Sequence, residues 1–299
     1  MEKKKIIFVF TVLVVLDVIA WNVVFDLSKP HPLKVVFFDV GQGDSIFIET
    51  PERQQVLIDG GPSSAVLEKL SKEMPFYDRT IDLVILSHPE HDHIFGLLEV
   101  LKRYKVKNIL WTGIVRKTPE WEEWVKLISK EKANIWIAKA NRKVVLSNSF
   151  ISILYPLKSL EGNKFESSNN TSLVCKLVFN KISFLFTGDI EKPAEEDLVN
   201  SNRNLDSDIL KVAHHGSKTS SSIRFLKRVS PQVAVISVGA DKTAEGQNCG
   251  NKKRNRYGHP NCEVLARLKN FAIQVLRTDQ CGDIKIFSNN GENFRISCN

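Results

Sequence analysis

The chain opens on one long apolar stretch and then changes character. IIFVFTVLVVLDVIAWNVVF runs from Ile6 to Phe25, interrupted only by scattered polar positions. Beyond Pro30 and Pro32 the apolar residues fall into short runs separated by turn-forming and amphipathic segments. Runs of four to eight apolar or alternating residues predict strands, and apolar positions at helical spacing predict helices. The strands fall at 35–39, 45–49, 55–58, 81–86, 108–112, 134–138, 144–146, 150–155, 172–179, 182–187, 208–213, 232–238, 273–277, 283–287 and 293–297. The helices fall at 64–72, 96–104, 119–131, 191–201, 219–229 and 262–270. Residues 157–170 and 240–258 are polar and irregular. Both halves run from hairpins into strand–helix units. That order predicts an α/β fold of two sheets with helices outside, an αββα four-layer sandwich.

The first stretch is 20 residues, enough to cross a hydrocarbon core of about 30 Å at about 1.5 Å per residue. Its length and the lack of a small-residue cleavage site favour an uncleaved transmembrane helix over a signal peptide. Asp17 within it costs about 3 kcal/mol on insertion scales, which the surrounding apolar run offsets. Lys3, Lys4 and Lys5 before it and Asp26 after it place residues 1–5 in the cytoplasm. Residues 6–25 then form the anchor, 26–34 a linker, and 35–299 a domain outside the cytoplasm. The 299 residues are 42% hydrophobic and 25% charged, which excludes a disordered tail or a polytopic membrane protein. The net charge is +8. Removing the five lysines and three acids of residues 1–34 leaves +6, so the outer domain is basic in its own right. Such a charge is compatible with nucleic acid or anionic lipid. Four of the five cysteines crowd into residues 249–298 and none forms a C-x-x-C pair, which argues against a cysteine zinc site. In an oxidising compartment two bridges are open, Cys249 with Cys262 and Cys281 with Cys298, among three ways of pairing four cysteines. Cys175, in an apolar run, reads as a buried thiol.

Apolar strands repeatedly end in metal-binding residue types. Residues 81–86 lead into Ser87-His88-Pro89-Glu90-His91-Asp92-His93, 182–186 into Thr187-Gly188-Asp189, and 209–213 into His214-His215-Gly216-Ser217. Six of the seven histidines lie in these clusters or in Tyr257-Gly258-His259-Pro260; only His31 stands apart. Ligands of open α/β sheets bind at the carboxyl ends of strands, where residues distant in sequence converge. A divalent ion held there would lower the pKa of a bound water to about 7, supplying hydroxide without a protein nucleophile. Ser217 and Lys218 follow the histidines at an expected helix start, where free N–H groups favour phosphate. Lys252, Lys253, Arg254 and Arg256 precede His259 and form a candidate phosphate clamp.

With these residues in view, the chain resembles the metallo-β-lactamase superfamily, whose signature is H-x-H-x-D-H. More narrowly, FFDVGQGDS (37–45), LIDGG (57–61), LSHPEHDHIFGL (86–97), NNTSL (169–173), FLFTGDIE (184–191), LKVAHHGSKTSSS (210–222), YGHP (257–260) and VLRTDQCGDI (275–284) resemble the extracellular hydrolase domain of ComEC-type competence proteins. The resemblance covers about residues 34–288. It implies a site with His88, Glu90, Asn170 and Asp189 at one ion, and Asp92, His93, Asp189 and His214 or His215 at the other. Asp92 would orient the hydroxide, Asp59 would hold the 88–93 segment, and His259 would contact the scissile group or protonate the leaving oxygen. His91 falls on a variable position of the signature and is not expected to ligate. Glu90 stands where the superfamily has histidine, and Asn169 or Asn170 takes the place of the middle histidine. This oxygen-rich ligation shifts preference from Zn²⁺ towards Mn²⁺ or Mg²⁺. The resemblance therefore implies a membrane-anchored hydrolase with two divalent ions, Mn or Zn, acting as a phosphodiesterase or nuclease on DNA, with a DNA-uptake channel as a partner. Two alternatives are a hydrolase of a β-lactam or cell-envelope phosphodiester, since fold does not fix substrate, and a DNA-binding module with a degenerate metal site.

Overall fold

The computed structural model describes residues 2–28, 31–240 and 257–298. Residues 1–31 and 32–299 form two separate compact units. The first is helix α1 (Glu2–Ser28). Its window Glu2–Asn22 has a mean hydropathy of 2.1 and none of it is buried, so it is long and apolar enough to cross a membrane. Two of its polar side chains bond back to their own helix, Thr11 Oγ1 to Ile7 O and Asn22 Nδ2 to Val18 O. Such self-satisfaction is what an apolar surrounding demands.

The second unit contains, in chain order, β1 (Leu33–Phe37), β2 (Ile46–Glu49), β3 (Gln55–Ile58), α2 (Ala65–Glu73), β4 (Thr80–Ile85), α3 (His91–Leu101), β5 (Lys105–Trp111), α4 (Pro119–Lys130), β6 (Asn134–Ile137), β7 (Lys143–Leu146) and β8 (Ser149–Tyr155). There follow β9 (Val174–Phe179), β10 (Ile182–Phe186), α5 (Lys192–Asn200), β11 (Ile209–Lys211), α6 (Ile223–Val229), β12 (Val233–Ile236), α7 (Cys262–Asn270), β13 (Gln274–Arg277), α8 (Thr278–Cys281), β14 (Ile284–Ser288) and β15 (Arg295–Cys298). One sheet has the order β15-β14-β1-β2-β3-β4-β5-β6 and the other β13-β12-β11-β10-β9-β8-β7. In each, antiparallel strands pass into parallel ones, at β3–β4 and at β10–β11.

Side-chain alternation builds the four layers. Leu33, Val35 and Phe37 of β1 face inward onto Phe184, Phe186 and Val235 of the other sheet. Val36, Phe47 and Leu57 face outward, packing with Val66, Leu97 and Trp124 of α2, α3 and α4. On the opposite flank, Leu185, Leu210 and Ile236 pack with Leu198, Phe225 and Val264 of α5, α6 and α7.

Several boundaries differ from those expected, and three have a clear physical reason. β1 starts at Leu33, because Leu33 and Lys34 pair with Ser288 and Phe287 of the C-terminal hairpin. α3 starts at His91 instead of residue 96, because Glu90 O already accepts the N–H groups of His93 and Ile94. α6 starts at Ile223, with Ser222 as its cap accepting from Phe225 N. Cys281 is bonded to Cys298, the second of the two expected bridges. Cys249, the expected partner of Cys262, lies outside the described residues. Cys175 is a buried free thiol.

Candidate metal centre

Four loops and one helix start meet at the carboxyl ends of the central strands. Asp59 follows β3, Ser87 and His88 follow β4, Asp92 and His93 open α3, Asp189 follows β10, and His215 follows β11. Close backbone contacts fix this meeting. A side chain at Gly96 would stand 1.9 Å from Gly60 O, and one at Gly43 would stand 2.2 Å from Asp92 O. Gly60 N donates to His93 O at 2.8 Å and Asp44 N to Asp92 O at 3.2 Å. The glycine turns therefore let the start of α3 press against the ends of β1 and β3.

Donor atoms of Asp92, His93, Asp189 and His215 all lie within 4.8 Å of one another. Nε2 of His93 and of His215 each stand 3.3 Å from Asp189 Oδ2, and His215 Nε2 is 3.2 Å from Asp92 Oδ2. Both Nε2 atoms are buried and misaligned for a hydrogen bond there. Their other nitrogens are engaged. His93 Nδ1 bonds Asp59 Oδ2 at 2.8 Å and His215 Nδ1 bonds Ser237 O at 2.8 Å, an arrangement that turns each Nε2 lone pair inward. Asp59 also accepts from Ser87 N at 2.7 Å and Ser87 Oγ at 2.6 Å, so it holds both ends of the 87–93 segment. His88 lies under His93, ring centroids 4.2 Å apart, with its Nδ1 3.0 Å from Ser87 Oγ and its buried Nε2 without a partner.

The charges fit a cation. Asp44, Asp59 and Asp189 are buried, Asp92 is partly so, and Lys211 is the fully buried ammonium set among them. Burial works against a charged imidazole at His93, yet Asp189, Asp59 and Asp92 lift its pKa well above the usual range. His215 is likewise pushed up to about 10, Asp189 outweighing burial. Burial would raise Asp189, but His215, His93 and Lys211 hold it well below the usual carboxylate range. Protons on the two imidazoles thus occupy a place where four acids ask for positive charge. With those protons gone, two imidazoles and two carboxylates form a four-donor set suited to a divalent ion. His88 is different: burial and the neighbouring His93 keep it neutral.

The remaining expected residues are placed as follows. His214 and His215 both have a left-handed backbone, φ 50° and 51°, and their rings diverge by 74°. His215 enters the cluster, whereas His214 Nδ1 faces Glu191 Oε1 at 3.3 Å. Glu90 is turned to Arg116 Nη2 at 2.9 Å and to Ser168 Oγ. Asn170 brackets Glu191, accepting from its N–H at 3.0 Å and donating to Oε2 at 3.3 Å. Neither stands in the four-donor cluster, because each already has a charged partner. Ser217 N donates to His214 O at 2.7 Å, and the N–H groups of Ser221 and Ser222 go to buried Glu195. The expected phosphate-binding helix start after the histidines is therefore absent: α6 begins at Ile223, six residues beyond Ser217, and its capping N–H groups are taken. Lys218 lines a separate depression with Lys192 and Glu263. His91 pairs with Glu120 at 3.1 Å, away from the donors. Lys252, Lys253, Arg254 and Arg256 lie outside the described residues. His259 sits over the site, its ring 5.5 Å from that of His214 and 6.4 Å from that of His215. Burial, His215 and His214 depress its pKa to about 4. A cleft of about 500 Å³ opens onto Asp92 and His215 between His91, His214, Tyr257 and His259.

Sequence reading missed two members. Asp44 closes the GQGD turn, and Lys211 is the single charge in the apolar run 209–213. Lys211 Nζ contacts Asp44 Oδ2, Gly188 O at 3.0 Å and Asp189 Oδ1 at 3.4 Å. A lone lysine inside an apolar strand was the available signal for both.

Known proteins resemble this chain in sequence and in fold. The chain is 32% identical over 269 residues to ComE operon protein 3 of Bacillus subtilis, covering 84% of this chain and 32% of that protein. It is 30% identical over 253 residues to Competence protein ComA of Neisseria gonorrhoeae, again covering 84% and 32%. The chain thus spans about a third of the length of the curated relatives it matches. Among solved structures, the metallo-beta-lactamase fold protein YhfI of Bacillus subtilis superposes with a TM-score of 0.54 at 15% identity, over 89% of this chain and 100% of that one, a likeness of fold. Residues 38–240 match the family described as the metallo-beta-lactamase superfamily. The two sheets, the outer helices, the strand-end donor cluster and this match agree: the chain belongs to the metallo-β-lactamase superfamily.

Proposed function

We propose that the chain is a metal-dependent phosphodiesterase acting on DNA outside the cytoplasm. The observation that carries this reading is the four-donor cluster of Asp92, His93, Asp189 and His215 at the floor of an open cleft. Divalent ions, Mn or Zn, held there would supply Lewis-acid charge and an activated water. A second ion beside His88 would find Asp189 as its other protein donor, since Glu90 and Asn170 have charged partners. Asp59 and Ser237 fix the two ligating imidazoles, and Asp92, at the cleft, orients the attacking water. His259, held neutral, hydrogen-bonds the substrate instead of delivering a proton. Ser217 is buried and Lys218 lies in its separate depression, so neither lines this cleft; Lys252, Lys253, Arg254 and Arg256 remain candidate contacts.

The name of one relative, Competence protein ComA of Neisseria gonorrhoeae, supports DNA as substrate. Helix α1 anchors the chain, with residues 1–5 cytoplasmic and 35–299 outside. A DNA-uptake channel delivers the strand. The test is incubation of the full chain with Mn²⁺ and single- or double-stranded DNA. Cleavage, its loss on His215→Ala or Asp189→Ala, and its loss with chelator are expected. Intact DNA under all conditions overturns the reading. A DNA-binding module without catalysis is the second reading, favoured by the engagement of Glu90 and Asn170. DNA binding together with fewer than one Mn²⁺ per chain at saturation would select it.

A further inference from the structure

Among the described residues, the outer face of the second sheet is covered by helices near the metal centre and left open across β7, β8 and β9. Val145 there is 72% exposed, while Phe150 and Val178 are half-buried. Strand register sets out the residues of this face in rows. Lys143 lies opposite Ser152, which lies opposite Lys176, and the next row is Val145, Phe150 and Val178. Adjacent strands are about 4.8 Å apart, so the two lysines flank Ser152 on one platform. Lys143 Nζ stands 4.5 Å over the Phe150 ring. Arg142 and Arg203 complete a cleft of about 670 Å³ whose lining includes four basic side chains and no acidic one. Arg203 is held from behind by Asn141 Oδ1, and its Nε is buried without a partner. Lys176, at the cleft floor, is 8% exposed.

We propose that this cleft is a second binding site, for single-stranded nucleic acid. A basic groove over an aromatic ring borne on an open sheet face is the physical recipe for sequence-tolerant binding of unpaired strands. Arg142, Lys143 and Arg203 meet phosphates, Lys176, whose Nζ donates to Asp206 O, adds charge at the floor, and Phe150 offers one stacking surface, which only an unpaired base reaches. Placement links it to the metal centre. α5 begins three residues after Asp189 and ends three residues before Arg203. Its nine residues span about 13 Å, roughly four stacked nucleotides at about 3.4 Å each. The inference rests on the phosphodiesterase reading and deepens it: the substrate is a polymer gripped away from the scissile bond.

The test is fluorescence anisotropy of a labelled 20-nucleotide oligothymidylate with the full chain in detergent and EDTA, so that no cleavage intervenes. Arg142→Glu/Lys143→Glu, both at exposed positions, should weaken binding roughly tenfold and flatten the log–log salt slope by about 1.4, two phosphates at about 0.7 each. Phe150→Ala should weaken binding with the slope unchanged. Wild-type affinity and slope in the double variant overturn the proposal. So does a loss confined to vesicles containing phosphatidylglycerol, which would assign the cleft to lipid headgroups. Hydrolysis of bis(p-nitrophenyl) phosphate by the wild-type protein reads the metal centre separately, so failure of either idea is seen without the other.

Discussion

The buried Lys211–Asp44 pair makes the sharpest test of how the metal centre is built. Lys211 is fully enclosed and contacts Asp44, Asp189 and Gly188 O. Burial disfavours its charge, but Asp44 and Asp189 outweigh that and raise its pKa. In Lys211→Met the ammonium is replaced by an apolar chain of similar length, and two enclosed carboxylates lose their fixed countercharge. Breaking one side of a buried pair costs about 3–5 kcal/mol. At about 2–4 °C per kcal/mol for a domain of this class, the unfolding midpoint of the metal-free protein should fall by roughly 6–20 °C. Asp44→Leu alone should also destabilise, because it strands the lysine. The double variant should lose less than the two singles added together, with a coupling of about 1.5–3 kcal/mol, within the range for groups in contact. Saturating Mn²⁺ at about 100 times its Kd stabilises by about 2.7 kcal/mol and should recover part of the Lys211→Met loss by neutralising Asp189. Urea and thermal unfolding of the four proteins in EDTA and in Mn²⁺ measure all of this. Additive effects within about 0.5 kcal/mol, or a cost for Lys211→Met below that, would refute the pairing as a structural element.

Three further outcomes follow from the same geometry. His215→Ala should abolish calorimetric Mn²⁺ binding to the four-donor cluster, whereas His214→Ala, whose ring faces Glu191, should leave the affinity within about threefold, an effect smaller than the roughly 10–100-fold loss of an outer-shell partner. The metal-free protein should lose stability as pH rises: His215 titrates near 10 when folded and near 6.5 when unfolded. Its contribution is complete below 6.5 and drains away towards 10, while Mn²⁺ binding tightens over the same window as protons are displaced. Urea midpoints and titrations in buffers of different ionisation enthalpy read the two effects. Cys281→Ser/Cys298→Ser opens a loop of 17 residues and should cost about 3 kcal/mol on the chain-entropy account, seen as a lower urea midpoint matched by wild type under reductant.

What the sequence disclosed follows the strength of its local signals. The apolar stretches 83–86, 184–186 and 233–236 are buried on both faces, so they stand out against any neighbour, and the polar residues that follow the first two mark the centre. Boundaries set by distant partners were hidden. β1 reaches back to Leu33 only because β14 pairs with it there, and the helix opening at His91 looks like a loop until Gly60 and Gly61 are known to receive it. Lys211, a lone charge in an apolar run, signalled a buried acid, but that the acid is Asp44 was hidden for the same reason. Each comes from a different sheet, and a buried charge is intelligible only once its partner, some 167 positions away, is in contact. His214 and His215 show the limit most sharply. Adjacent in sequence and identical in type, they differ in role because two successive left-handed residues turn one ring to the carboxylates and the other to Glu191. That backbone costs roughly 1–2 kcal/mol per residue, and the bonds that His215 Nδ1 and His214 N donate to Ser237 O and Gly188 O hold it. The site is thus specified less by which ligands the chain carries than by the contacts that aim them. A substitution at Ser237 or Gly188 that shifts this turn should therefore weaken ion binding as surely as the loss of a donor.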